Sequence, residues 1–554
     1  MKIYNTVQLA TALLFLTLIS CNSQKEKSVS STPDSRPNIV LILADDMGFS
    51  DLGSYGSEIQ TPNIDKLANN GLRYTQFYNT SRCCPTRASL MTGLYPHQTG
   101  LGWMTRLDLG QPGYTGELNN QNVTLGEVMK ESGYSTYVSG KWHLNKDDEC
   151  EPDSPKHNWP LHRGFDKFFG ILKGATDYFN PTNLYNGDTH IAPGDDFYFT
   201  DEINNYACNF IEDHYKAKNN NPFFLYVAHV APHWPIQAKP EDIAKYQGKY
   251  MDGWEITRKK RFDKMLELGI ITPNTKLSEP KSSVLNWDDL SEDEKIDMDK
   301  RMAIFAAQVD NMDQGIGRII ETLEKHQQLD NTLIIFLSDN GSSSLAVSSG
   351  ISKTLEDLGT EKSFESYGES WTNVSNTPMR NYKLYEHEGG ISTPFIVHWP
   401  NKIKAIGELR NQVGHVIDIM PTLLEVSNTT YPENFKGQTI LPFEGESLLP
   451  TFDSNKNRNR TIYFEHVANR GVRDGDWKLV SLGKTTFPYT TNWELYNLKE
   501  DRSETNNIAS NHPEKVKELA EKWNLWANRT NVLPLDGRGW DDKIENPLGG
   551  QEAQ

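Results

Sequence analysis

Cys83-Cys84-Pro85-Thr86-Arg87 sets two adjacent cysteines against a proline and an arginine. Pro85 fits the first turn of a helix, so Cys83 is expected immediately before the helix N-terminus, where free amides and the helix dipole favour a bound anion. Adjacent cysteines seldom pair with each other, because disulfide geometry wants Cα atoms on facing segments. The pair therefore asks for a chemical explanation. Other reactive side chains stand just beyond apolar runs: Asp45 and Asp46, His229 and His233, Asp339 and Asn340. Taken singly, each has an ordinary structural reading. Asp-Asp and Asp-Asn-Gly are common turns, and His229 or His233 alone reads equally well as a satisfied structural histidine.

Their positions follow from the elements that carry them. Residues 38–44 form an unalternating apolar run, which suits a strand buried on both faces of a parallel sheet. Residues 223–227 (FFLYV) and 332–337 (TLIIFL) repeat the pattern. Met302, Phe305, Val309, Met312, Ile316, Ile319 and Leu323 recur at three- and four-residue steps, the stripe of a long amphipathic helix. Helix followed by apolar strand is α/β alternation, and in open α/β sheets the site lies beyond the carboxyl ends of the strands. Asp45, Asp46, His229, His233, Asp339 and Asn340 are then expected at one sheet edge. Beyond Gly437 the texture changes to short aromatic strands at 461–465, 477–481 and 493–498, followed by a helix over 514–526, the look of a small antiparallel sheet. Two long polar stretches, 237–300 and 342–380, are expected as insertions that shape a substrate pocket.

With 554 residues the chain exceeds one simple core, and a large domain with an appendage is expected. A net charge of -18 argues against a nucleic-acid partner but leaves room for an anionic substrate, since a few cations in one pocket focus a local positive field. At the N-terminus Lys2 precedes the apolar stretch 9–19, a secretory h-region too short for a stable membrane span. Leu18-Ile19-Ser20-Cys21 resembles a bacterial lipobox, which makes Cys21 a candidate for lipidation and 22–35 its polar tether; a simple cleaved signal is the other reading. Cys150 and Cys208 fit either an exported disulfide or two free buried thiols.

Cys83-x-Pro85-x-Arg87, continuing as Ala88-Ser89-Leu90-Met91-Thr92-Gly93, resembles the signature of the type I sulfatases of the alkaline-phosphatase-like superfamily. The remaining motifs follow in that family's order: Gly140-Lys141-Trp142-His143, Ala231-Pro232-His233-Trp234-Pro235, and Lys383 five residues ahead of Glu388-Gly389-Gly390. The resemblance covers nearly all of the chain after the leader. It implies a large, mainly parallel mixed sheet between helices, with a smaller C-terminal α+β subdomain. The corresponding division is a leader at 1–21, a tether at 22–35, a catalytic domain at 36–437 and the subdomain at 438–554.

The same resemblance implies that Cys83 is oxidised by a maturation enzyme to Cα-formylglycine, while Cys84 fills the motif's variable position. It implies a divalent cation, Ca²⁺ with Mg²⁺ as the chemical alternative, held by Asp45, Asp46, Asp339, Asn340 and the modified residue 83. One hydroxyl of the hydrated formylglycine would attack sulfur to give a covalent sulfo-enzyme. His233, with Lys383 beside the bridging oxygen, would protonate the leaving alcohol, and His143 would take the proton that lets sulfate depart. Lys141 and Lys383 would grip sulfate oxygens, and Arg87 would orient the diol. His97, His387 and His466 are secondary candidates for pocket lining, whereas His157, His162 and His398 have no assigned role.

The expected protein is thus an exported, lipid-anchored sulfatase acting on a sulfated carbohydrate, whose only membrane partner is the lipid bilayer holding its anchor. Two rivals remain: a phosphonate or phosphate monoester hydrolase of the same superfamily, and a surface glycan-binding protein that keeps the fold without the modification.

Overall fold

The computed structural model describes residues 36–350, 354–483 and 492–549. Cys21, the leader and the tether lie outside the described residues. A mixed sheet is built from β1 (Asn38–Ala44), β2 (Leu72–Tyr78), β3 (Ser135–Lys141), β4 (Lys167–Ile171), β5 (Leu184–Asn186), β6 (Thr189–Ile191), β7 (Phe223–Ala228), β8 (Thr332–Ser338), β9 (Ser392–His398) and β10 (Glu408–Arg410). Its order is β10-β2-β9-β8-β1-β7-β3-β4-β5-β6, with the short strand Gly414–His415 added beside β2. The five central strands, β8-β1-β7-β3-β4, are all parallel.

All seven residues of β1 are buried. Val40, Ile42 and Ala44 enter one core with the helices Phe199–Lys216 and Glu292–Lys325. Ile39, Leu41 and Leu43 enter the opposite core. Burial on both faces is why the run shows no alternation of polar residues. The long helix carries its predicted stripe inward, Met302, Phe305, Val309, Met312, Ile316, Ile319 and Leu323 all being buried.

The C-terminal antiparallel sheet has four strands, Thr461–His466, Asn469–Asp474, Trp477–Ser481 and Glu494–Asn497, crossed by the helix Pro513–Arg529. Val472, Leu479, Leu495 and Trp523 belong to the same apolar core as Leu41 and Leu43. The described residues accordingly pack as one compact unit.

Cys150 and Cys208 are both free, so the disulfide reading is corrected. The sheet separates them: Cys150 is buried on one face, and half-buried Cys208 packs against the core of the other.

Candidate active site

Register in the central strands brings the polar ends together. Ala44 lies opposite Ser338, Leu43 opposite Ala228, and Gly140 opposite Ala228, so Asp45, Asp339, His229 and Lys141 leave the sheet along one rim. Gly140 is required there: its φ is +119° and a Cβ would stand 1.9 Å from the Ala228 carbonyl oxygen. The helix Cys83–Thr92 starts at the rim, with Cys83 as its first residue and Arg82 as the cap, one position earlier than the sequence suggests.

Arg87, wholly buried, ties the rim together. Its Nη1 donates to the Lys141 carbonyl at 2.8 Å, and its Nη2 lies 3.3 Å from Asp45 Oδ2 and 3.2 Å from Asp339 Oδ2. Lys141 Nζ is 2.5 Å from Asp45 Oδ2, and Lys383 Nζ is 2.5 Å from Asp46 Oδ1. Asn340 Nδ2 donates to the same Asp46 oxygen at 2.7 Å. Three oxygens of this group, Asp45 Oδ1, Asp46 Oδ2 and Asn340 Oδ1, are buried without a hydrogen-bond partner. Ligand atoms of Asp45, Asp46 and His233 lie within 4.8 Å of one another. Buried oxygen acceptors left unpaired are costly, and an all-oxygen donor set beside a rim of carboxylates fits a hard divalent cation.

Electrostatics sort the titratable groups. Burial works to raise the Asp45 carboxyl, but Lys141, His233 and Arg87 outweigh it and hold the group at about 2. Burial and the neighbouring Asp45 charge push Asp339 well above the usual carboxylate range. The Cys83 thiol is drawn well below its ordinary value by a hydrogen bond from Cys84 together with Lys141, Lys383 and His143, against the opposing effect of burial. Burial keeps His143 neutral and moves His233 down to about 4. His233 Nδ1 is 2.5 Å from the Trp234 carbonyl, so Nδ1 carries the donated hydrogen and Nε2 is left facing the rim, 3.5 Å from Asp46 Oδ2. His143 has an unpartnered buried Nδ1, and a Cβ on Gly174 would come within 2.5 Å of its ring.

The chain matches the sulfatase family model over residues 37–429, and the C-terminal model of N-sulphoglucosamine sulphohydrolase over 381–528. This chain belongs to the sulfatase family. It is similar to an uncharacterised sulfatase of Schizosaccharomyces pombe, 34% identical across 93% of this chain and 97% of the relative. The arylsulfatase of Klebsiella aerogenes is 33% identical across 74% of this chain and 91% of its own. Among solved structures, Ps i-CgsB in complex with k-i-k-neocarrahexaose aligns with a TM-score of 0.66 at 26% identity, covering 92% of this chain and 96% of that one. The protein is a sulfuric ester hydrolase with the mainly parallel sheet and C-terminal antiparallel sheet expected of it.

In this sulfatase Cys83, His143, His233 and Lys383 share the floor and walls of one cavity of about 570 Å³. Lys141, Arg87, Asp45, Asp46, Asp339 and Asn340 lie buried beneath it. Of the secondary histidines only His466 lines the cavity; His97 is buried against Glu465 at 2.7 Å, and His387 against Glu494 at 3.2 Å. His229, which shares the rim, is buried with both ring nitrogens unpartnered and a pKa pushed down by burial to about 3, the state of a neutral packed ring. His157 and His162 pair with Glu117 and Asp188 in exposed positions, and His398 is buried at the end of β9.

The expectation that both polar stretches shape the pocket is corrected. None of 237–300 lines the cavity, and Leu345 alone among the described residues of 342–380 does. Residues 254–267 instead form a helix whose Trp254 packs on Trp287 and Trp371, within the core that holds Val40 and Ile42. Sequence reasoning missed Arg82, Trp103, Met104, Lys173, Arg538 and Trp540, which also line the cavity. They come from separate loops and the tail, where no periodicity or motif marks them.

Proposed function

We propose that this sulfatase hydrolyses sulfate esters of a sulfated carbohydrate, with Cys83 matured to Cα-formylglycine and Ca²⁺ at the carboxylate rim. The observation that carries the reading is the placement of Cys83 among cations and neutral imidazoles at the cavity floor, above three unpaired buried oxygens. A carbohydrate substrate is supported by the similarity to Ps i-CgsB, solved with a neocarrahexaose. Export and a lipid anchor at Cys21 belong to the same reading and rest on the apolar stretch at 9–19.

A hydrated formylglycine supplies a nucleophilic hydroxyl and a second hydroxyl whose deprotonation expels the product. Asp45, Asp46, Asp339 and Asn340 would hold a cation, which would supply charge stabilisation for the sulfate oxygens. The chain's own side chains do the rest. Lys141 and Lys383 rest on Asp45 and Asp46; were those carboxylates to hold the cation, both ammonium groups would be free to bind sulfate oxygens. Burial works to lower the Lys383 pKa, but the Asp46 charge outweighs it and keeps the ammonium protonated. His233 Nε2 is the position that carries a proton to the leaving oxygen, because Nδ1 is committed to the Trp234 carbonyl. An arriving sulfate ester raises its proton affinity by its own charge. His143, kept neutral by burial and hydrogen-bonded to Cys83, is placed to accept the proton of the second hydroxyl. Arg87 orients residue 83 from below and offsets the charge of Asp45 and Asp339.

Matched 4-nitrophenyl sulfate and 4-nitrophenyl phosphate test the reaction class. Faster release from the sulfate is expected; faster release from the phosphate contradicts the reading in favour of a phosphate monoester hydrolase. Glycan binding without release of sulfate favours the binding-protein alternative.

A further inference from the structure

Much of the alcohol side of the cavity is built from segments other than those that carry the sulfate-facing groups. Trp103 and Trp540 meet with ring centroids 5.2 Å apart at 50°, and Trp234, Met104 and Val467 extend the apolar wall. Rigid aromatic faces of this kind take a flat ring, sugar or aryl, against them. Trp540 belongs to the tail beyond residue 528, where the second family match ends. That tail is fastened over the cavity. Arg538 pairs with Asp536 at 2.7 Å and donates to the Asn546 carbonyl at 2.6 Å, while Lys543 donates to the Asp536 carbonyl at 2.8 Å and stands 5.1 Å over the Trp103 ring.

Among the described residues four cations line the cavity: Arg82, Lys173, Lys383 and Arg538. Three have a carboxylate partner. Lys383 has Asp46, Lys173 has Glu151 at 3.3 Å, and Arg538 has Asp536. Arg82 has none. Its Nε is buried and unpartnered, and among the described residues no hydrogen bond or ion pair reaches its guanidinium. Its charge instead works against the protons on Lys383 and His466. Asp147, the one carboxylate that lines the cavity among the described residues, is bonded to Thr105 at 2.7 Å. A half-buried guanidinium in a largely apolar cavity, near like charge and with no counter-ion, is an unfavourable arrangement that an incoming anion relieves.

We propose that Arg82 reads a second anionic group on the substrate alcohol. The alcohol is a ring, seated against Trp103 and Trp540, that bears a carboxylate or a second sulfate beside the ester to be cleaved. Arg82 directly precedes Cys83, so this second anion lies on the same ring as the reacting sulfate or on the adjoining one. The planar guanidinium fork suits either group bidentately. The assignment rests on the sulfatase reading of the Cys83 pocket.

The test compares N-acetylgalactosamine 6-sulfate with its 4,6-disulfate and with a 2-sulfated uronic acid, in the wild-type protein and in Arg82→Gln and Arg82→Lys. Wild-type kcat/KM is expected to favour at least one doubly anionic ester by tenfold or more. Arg82→Gln should remove that ratio and Arg82→Lys should keep part of it. The identity of the favoured ester distinguishes carboxylate from sulfate. A wild-type protein without preference, or a ratio that survives in Arg82→Gln, overturns the proposal. Calorimetric binding of the same esters to Cys83→Ala, with and without Arg82→Gln, reads the ratio without turnover. Retention of the binding preference with no sulfate release by the wild-type protein would refute the sulfatase chemistry and leave the role of Arg82 standing.

Discussion

At the scale of single residues, two neighbouring cysteines that look alike in sequence differ in their surroundings. Cys83 lines the cavity, whereas the Cys84 thiol does not; beside its contact with Cys83 it reaches the Trp103 carbonyl at 3.4 Å and the Met104 sulfur at 3.6 Å. Cys83→Ala is expected to abolish sulfate release while leaving the unfolding midpoint unchanged within about 2 °C, since the change removes one small atom. Cys84→Ser should stay active, because a hydroxyl still donates to the Trp103 carbonyl; loss of turnover in that variant would mean that the wrong cysteine was assigned. Gly174→Ala drives a methyl into the His143 ring, and kcat should fall roughly 10- to 100-fold with little loss of stability, as expected when a reacting group is misplaced. Unchanged kcat would remove His143 from the chemistry. Residues in short motifs were legible in the sequence because the chemistry fixes their spacing. Arg82, Trp103 and Trp540 were not, because a cavity wall needs only the right surface from whichever loop arrives.

At the scale of elements, β1, β7 and β8 were legible almost to the residue, since strands buried on both faces write themselves as unbroken apolar runs. The strand Asn469–Asp474 was not. Its sequence, NRGVRD, is polar, and pairing on both sides with Thr461–His466 and Trp477–Ser481 decides its conformation. Arg473 is buried there through its contacts with Tyr78 and Gln76, which no local pattern announces. The rim depends on β1 holding its register between β7 and β8. Leu41→Ala should therefore cost about 2–5 kcal/mol in urea unfolding, the usual range for an emptied core site. A loss below about 1 kcal/mol would show that the second core does not brace the strand that carries Asp45 and Asp46.

For the whole molecule, a net charge of -18 surrounds a cavity floor rich in cations, and buried ion groups tie the C-terminal sheet to that floor. Glu388, beside the Lys383 segment, is held at about 2: burial works to raise it, but Lys478, Arg502 and Arg473 outweigh burial. Its pKa is depressed in the folded protein, so its contribution is fully present above the unfolded value near 4.5 and is lost as pH falls through about 2. That contribution is on the order of 3 kcal/mol. Acid unfolding of Glu388→Gln should be shallower between those limits than in the wild-type protein, at the cost of lower stability at neutral pH. Parallel pH curves would contradict the assignment. Removing divalent ions with a chelator should lower both activity and the unfolding temperature. Ca²⁺ at a hundred times its Kd should restore about 2.7 kcal/mol, and no thermal shift on readdition would argue against an ion at the rim.

The most direct test of the account is mass spectrometry of the peptide that contains residues 83–87, from protein produced beside a formylglycine-generating enzyme. The account predicts Cα-formylglycine at position 83 and an unmodified Cys84. An intact Cys83 in protein that nevertheless releases sulfate would contradict it.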